Sequence, residues 1–202
     1  GDLFLIRRTV ASFGTRCDWQ TERRFAGGYL LNWGPHIVDP PCLLAGGRVR
    51  SVYGRLRQTI NPGDVEDLFL ALITMDNGIL LQVEYTISPA PLPSWVVQGT
   101  RGTILVSGRA LTFLENTPCR PADPTQFATL NPADTRRTEE TVGPHLYGDE
   151  HEIYGDVAAA LRGERSFPVT PDDAWELTRT LDAIRCSQEE DRMINLQQEN
   201  RA

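Results

Sequence analysis

Apolar and polar positions change their period along the chain, and each change marks an element. Residues 2–11, DLFLIRRTVA, open on an apolar, β-branched run that predicts a strand, followed by the polar loop SFGTRCDWQTERRF. The apolar stretch 28–45 has helical content, yet Pro35, Pro40 and Pro41 each lack an N–H. They leave the carbonyls of Leu31, His36 and Ile37 without their usual partners, which predicts a kinked helix or a series of short segments. A period of two then takes over. RVRSVYGRLRQT (48–59), EDLFLALITM (66–75) and ILLQVEYTI (79–87) read as strands. In the last of these, Ile79, Leu81, Val83, Tyr85 and Ile87 alternate with Leu80, Gln82, Glu84 and Thr86. Asp76-Asn77-Gly78 is a tight-turn signal, because Asn-Gly tolerates positive φ, and it predicts that the strands on either side pair antiparallel.

SWVVQG (94–99), TILVSG (103–108) and ALTFLE (110–115) continue the meander, for a sheet of about six strands. Residues 116–147 carry five prolines and few apolar residues, and predict a long excursion: a functional loop, a partner-binding arm or a disordered segment. Two helices close the chain. DEHEIYGDVAAALRG places Ile153, Val157 and Leu161 on one face and ends on Gly163 as a C-cap. TPDDAWELTRTLDAIRCSQEE opens on Thr170 as N-cap, with Pro171 at the first helical position and Asp172 and Asp173 in the first turn. Its stripe, Trp175, Leu177, Leu181 and Ile184, predicts packing on one face of the sheet. The fold class is α+β: a largely antiparallel, open-faced sheet with helices on one face. Apolar residues on both faces of LFLALITM predict that the other face is an oligomer interface.

With 202 residues and 40% hydrophobic content, the chain buries one core and reads as one domain. A formal charge of −7 argues against binding a phosphate backbone, so nucleic acid is not an expected partner. The apolar runs are shorter than the roughly 20 residues a membrane span needs. No secretory signal is visible, and the setting expected is cytoplasmic. Cys17, Cys42, Cys119 and Cys186 form no C-x-x-C pair and read as dispersed thiols rather than a metal or redox site. All 20 basic residues are arginine, so chemistry that needs a titrating amine must take it from elsewhere.

Nucleotide-binding and hydrolase motifs are missing: there is no strand followed by G-x-G-x-x-G, no G-x-x-x-x-G-K-[ST], no H-E-x-x-H and no G-x-S-x-G. The best local candidate is His36 with Asn32. On a continuous helix, i and i+4 share a face, and an amide there orients an imidazole that exchanges a proton near neutral pH. The alternative is a half-buried histidine whose ring bonds a carbonyl freed by the prolines. Trp19, Arg16, Arg23 and Arg24 either line a pocket for a polar substrate or pack the loop. Asp39 reads as a backbone cap after His36, and His145 and His151, flanking Tyr147 and Asp149, read as surface residues.

DWQTERRFAGGYLLNWGPHIVD, residues 18–39, resembles the start of the C-terminal domain in the glucose-fructose oxidoreductase, inositol dehydrogenase and rhizopine catabolism (Gfo/Idh/MocA) family. Members often show Asp-Trp-Arg, a Gly-Gly pair, and then Asp-x-x-x-His-x-x-Asp. EDLFLALITMDNGILLQVEYTIS, VVQGTRGTILV, EIYGDVAAALRGERSFPVTPDDAWELTRTLDAIRCS and a terminal INL fall in the family's order, so the resemblance covers nearly the whole chain. It implies a two-domain enzyme whose N-terminal Rossmann domain binds NAD or NADP and supplies a catalytic lysine. Residues 1–202 would then be the substrate-binding and oligomerisation domain without its Rossmann partner, inactive alone. The start at Gly1 without a methionine fits an excised domain, and the other reading is a partner domain on a separate chain.

By the same resemblance, His36 exchanges a proton with a substrate hydroxyl as hydride moves to the nicotinamide. Asn32 stands where many members have aspartate, Gln20 where arginine is common, and Tyr29 in place of a third glycine. Trp19, Gln20 and Arg24 are the implied substrate-binding residues, and a sugar, cyclitol or related polyol is the implied substrate. Two rival readings stand beside this: a family member without redox activity that serves as a scaffold or binding protein, and one that uses the cofactor transiently for hydrolysis or elimination.

Overall fold

The computed structural model describes residues 1–117, 121, 123, 125–128, 132–143 and 149–196. Among them, nine strands form one sheet: β1 (Leu3–Ser12), β2 (Val49–Arg57), β3 (Leu68–Met75), β4 (Leu80–Ile87), β5 (Trp95–Gly99), β6 (Gly102–Ser107), β7 (Ala110–Glu115), β8 (Arg136–Thr141) and β9 (Ile194–Asn195). Their order is β8-β7-β6-β5-β1-β4-β3-β2-β9. Every pairing is antiparallel except that of β1 with β4, which run parallel with Ile6 opposite Leu81. The α+β class and the largely antiparallel sheet are as the hydrophobic pattern predicts.

Strand number differs from the expected six for a physical reason. β8 reads RRTEET and is exposed at every position, so it carries no apolar period, and it pairs along β7 as an edge strand. Part of the predicted excursion 116–147 is therefore sheet. β9 is two residues long and pairs with Ser51 and Val52.

α1 (Tyr29–Ala45) is one helix running through Pro35, Pro40 and Pro41, so of the two expected outcomes the series of short segments does not form. Proline's fixed φ suits the helix, and what it forfeits is a hydrogen bond and a comfortable fit to the preceding turn. Burial of Leu30, Gly34, Ile37, Val38, Pro41 and Ala45 against the sheet and its neighbouring helix offsets that loss. The turn Asp76-Asn77-Gly78 serves this helix as well as its own hairpin. Gly78 takes φ +87°, and Asn77 Nδ2 donates to the terminal carbonyls of Ala45 at 3.0 Å and Gly46 at 3.1 Å.

α3 (Pro171–Glu190) begins as predicted, with Thr170 and Asp173 forming a reciprocal capping box and Pro171 in the first turn. It lies across β2, where Gly54 has no Cβ because one would meet Ile184 Cγ2 and O at 2.7 Å. Ser187 Oγ accepts the Gly54 N–H at 2.9 Å, and Gln188 Oε1 accepts that of Leu56 at 3.0 Å. Of the predicted stripe, Ile184 is buried and Leu177 and Leu181 pack at the core's edge, while Trp175 is 46% exposed on the rim of a groove. In α2 (Glu152–Leu161), Ile153, Val157 and Leu161 share a face but are exposed, and Ala159 alone is buried. Gly163 closes α2 as expected, at φ +72°.

The core sits between α1, α3 and strands β1 to β4, centred on Ile6, Ile37, Val52, Phe69, Ile73, Leu81, Val83 and Ile184. The opposite face of those strands carries Leu70, Leu72, Leu80 and Gln82. No described helix is long and apolar enough to cross a membrane.

Candidate active site

The loop after β1 is built around one carboxylate. Asp18 caps a single 3₁₀ turn at Trp19–Thr21 by accepting the Gln20 N–H at 3.0 Å. It also takes two bonds from Arg16, Nε to Oδ1 at 3.1 Å and Nη2 to Oδ2 at 2.8 Å. Arg16 holds the Asp18 carboxyl below the usual carboxylate range, and Asp18 in turn raises Arg16. The third arm of Arg16, Nη1, donates to Gln20 Oε1 at 2.6 Å.

Gln20 reaches α1. Asn32 Nδ2 donates to the same Gln20 Oε1, so two predicted site residues 12 positions apart are in contact. The approach depends on Gly27 and Gly28: a Cβ at 27 would stand 2.5 Å from Gln20 O, and one at 28, where φ is +117°, 2.4 Å from Glu66 Oε1. Glu66 caps the helix start, accepting Tyr29 N through its carbonyl at 3.1 Å and Leu30 N through Oε1 at 3.0 Å. Burial pushes its carboxyl up despite the Leu30 N–H and Arg23.

The loop between β2 and β3 closes the site from below. Asp67, 1% exposed, accepts Thr59 N at 2.7 Å and Thr59 Oγ1 at 2.8 Å on Oδ1, and Ile60 N at 2.9 Å and Asn61 N at 2.7 Å on Oδ2. Burial pushes this carboxyl up, but the donors more than offset it and the net direction is down. The loop so held presents Asn61, which accepts Arg16 N at 2.9 Å and donates to the Tyr29 hydroxyl at 3.2 Å. Tyr29 packs on Tyr85 with ring centroids 4.5 Å apart, and Tyr85 shares a 2.6 Å hydrogen bond with Ser12. Burial pushes the Tyr85 hydroxyl up, against the pull of Ser12, so it keeps its proton.

His36 lies one turn beyond Asn32, exposed, with its ring edge-on to Trp33 at 6.2 Å. Trp33 in turn meets Tyr85 at 5.6 Å. Among the described residues no carbonyl accepts from the His36 ring, so the alternative of a histidine tied to a proline-freed carbonyl does not hold. Asp39, expected to cap the backbone after His36, lies inside the unbroken helix, where burial and then Asp173 push its carboxyl up. Trp19 is exposed on the 3₁₀ turn. Arg24 turns to Glu22 at 2.5 Å and lies over the Phe25 ring at 4.5 Å. Arg23 docks on Asp64 through its backbone N–H at 2.7 Å. His151 is exposed and pairs with Asp149 at 3.0 Å, while His145, Tyr147 and Cys119 lie outside the described residues.

Among the described residues, one groove of about 820 Å³ lies between α1, α3 and β2 and another of about 540 Å³ beside the start of α1, and His36 and Asn32 line neither of these. The larger holds Cys42, whose thiol burial, with Asp39, pushes up to about 12; it stays protonated and unreactive. The candidate site is instead an open face of α1. The sequence reading missed Tyr29, Asn61, Asp67 and Tyr85 as its supports. Asn61-Pro62-Gly63 carried a turn signal, but nothing local tied that turn to Arg16.

A sequence model described as the GFO/IDH/MocA C-terminal domain matches residues 1–105, from the start of the chain through most of β6. This chain belongs to that family. No curated protein matches it. Among solved structures, it is similar to an NAD-binding protein from Listeria innocua, 24% identical with a TM-score of 0.77, over 96% of this chain and 55% of that one. An NAD binding oxidoreductase from Klebsiella pneumoniae is 18% identical with a TM-score of 0.72, over 98% of this chain and 60% of that one. The WlbA dehydrogenase from Bordetella pertussis, solved in complex with NADH and UDP-GlcNAcA, is 19% identical with a TM-score of 0.70, over 98% and 56%. At these identities the likeness is one of fold. The GFO/IDH/MocA chain described here spans between 55% and 60% of the length of these three structures.

Proposed function

We propose that residues 1–202 are the substrate-binding and oligomerisation domain of an NAD(P)-dependent oxidoreductase acting on a sugar, cyclitol or related polyol, completed by an N-terminal Rossmann domain. The observation that carries this reading is the exposed His36 imidazole on the face of α1 that Asn32 shares, beside the Gln20–Asn32 contact. The family membership supports it, as does the similar fold that holds NADH and UDP-GlcNAcA.

The described residues of this chain offer no strand, glycine-rich turn and helix to cradle a dinucleotide, so the Rossmann domain holds the cofactor. Bound there, the nicotinamide supplies hydride acceptance. His36 takes the proton from the substrate hydroxyl, Asn32 and Gln20 bind hydroxyls, and Trp33 and Trp19 wall the face. The free thiols Cys17, Cys42 and Cys186 accord with a cytoplasmic setting.

Calorimetry with NAD(H) and NADP(H) tests the division of labour. The chain extended by the residues its gene places before Gly1 is expected to bind a dinucleotide, and the 202-residue chain is not. Binding by neither form would count against the reading.

The sheet face away from α1 and α3 is the proposed homo-oligomer interface, with Leu72 52% and Leu80 48% exposed on neighbouring strands. Leu72→Arg is expected to convert the oligomer to monomer in light scattering while the circular dichroism stays that of the parent. A parent chain that is monomeric at every concentration would remove this interface.

A further inference from the structure

We propose that Arg16 is a positioning residue that acts through Gln20 to set the orientation of the Asn32 side chain, making the His36 face a neutral acceptor for a substrate hydroxyl. The proposal rests on the reading of that face as the reacting one.

A guanidinium carries donors only. Arg16 commits Nε and Nη2 to Asp18 at 3.1 and 2.8 Å and sends Nη1 to Gln20 at 2.6 Å. The Gln20 atom facing it must therefore be the amide oxygen. That same oxygen faces the Asn32 side chain, and an oxygen is met there only by the NH₂ end. Asn32 accordingly turns Nδ2 to Gln20 and leaves Oδ1 outward. Among the described residues no donor reaches Oδ1. Because Asn32 and His36 are i and i+4 on α1, that acceptor belongs to the face that carries the imidazole.

Polarity thus passes in one direction, from a donor-only arginine through an amide to a second amide. Without Arg16, the Gln20 amide turns over at little cost and Asn32 is free to follow, so the face presents donor and acceptor alike. Charge is settled by the same residues. Asp18 neutralises Arg16, and Gln20 and Asn32 are uncharged, so the face suits a neutral hydroxyl better than a carboxylate. Arg16 is itself placed by its backbone, through the 2.9 Å bond from its N–H to Asn61 Oδ1, so changing its side chain leaves the loop anchored.

The test is hydrogen exchange of side-chain amides, read by ¹⁵N NMR on the 202-residue chain. The Asn32 pair is assigned by its disappearance in Asn32→Ser. Arg16→Met is expected to speed exchange of the Asn32 Nδ2 protons about fivefold, the factor of one ordinary hydrogen bond, with the melting temperature unchanged. Arg16→Lys, which keeps a donor without an acceptor, restores the slow rate. Gln20→Glu, whose oxygens only accept, retains it, and Gln20→Leu loses it even if Arg16→Met fails to fold. Unchanged exchange in Arg16→Met and Gln20→Leu overturns the proposal, and so does equal loss in Arg16→Lys and Arg16→Met. Failure of the functional reading looks different: turnover of the extended protein would survive His36→Ala while the exchange pattern stood.

Discussion

His36→Ala in the protein completed by its Rossmann domain is expected to lower turnover by about 10²–10⁴-fold, the range of a lost general acid–base group. The size of the effect follows from what surrounds the imidazole. Asn32 and Gln20 are amides and exchange no proton in the working pH range. Asp18 is engaged by Arg16, and Tyr85 is held in its protonated form by burial. The chain contains no lysine. Among the described residues of this chain no group beside His36 is placed to take over its proton, so the loss is expected in kcat and kcat/KM together rather than in KM. Turnover within about threefold of the parent would exclude His36 from the chemistry.

Asp67→Ala is expected to cost about 3–4 kcal/mol of folding stability, read from urea unfolding. Four donors now share its carboxylate, and removing it leaves the buried Asn61 N–H and the part-buried Thr59 and Ile60 N–H groups without that acceptor. The folded carboxyl binds its proton less readily than the unfolded one, so the unfolded state takes up more protons in acid and stability rises with pH. The contribution is complete above the unfolded value of about 3.9 and is lost as pH falls through the lower folded value. Asp67→Asn is expected to flatten the dependence of melting temperature on pH below about 4. A melting curve as steep as the parent's would show that other carboxylates carry the acid sensitivity. Damage is also expected at the site itself, since Asp67 holds Asn61, and Asn61 holds Arg16 and Tyr29.

Much of the fold was legible because its signals are local. Alternation marked β4, Asn77-Gly78 marked the hairpin, and Thr170, Pro171 and Asp173 marked the start of α3. β8 was illegible for the complementary reason: an exposed edge strand needs no apolar residue. The prolines of α1 left a division into short segments open, because their cost is local and the burial that keeps one helix is not. At the site, spacing placed Asn32 and His36 on one face, and the structure keeps them on one helix.

The sequence by itself determined most of the elements, the α+β class and the placing of Asn32 and His36 on one face of α1, since propensity and period act over a few residues. Only the tertiary structure decided that Arg16 meets Asn61 across 45 positions and that Gln20 meets Asn32 across 12. It also decided that Arg24 pairs with Glu22 over the Phe25 ring and that His36 is exposed on α1. Those outcomes depend on where loops are held, and here a buried carboxylate at 67 and two glycines at 27 and 28 hold them, through contacts that no local pattern encodes.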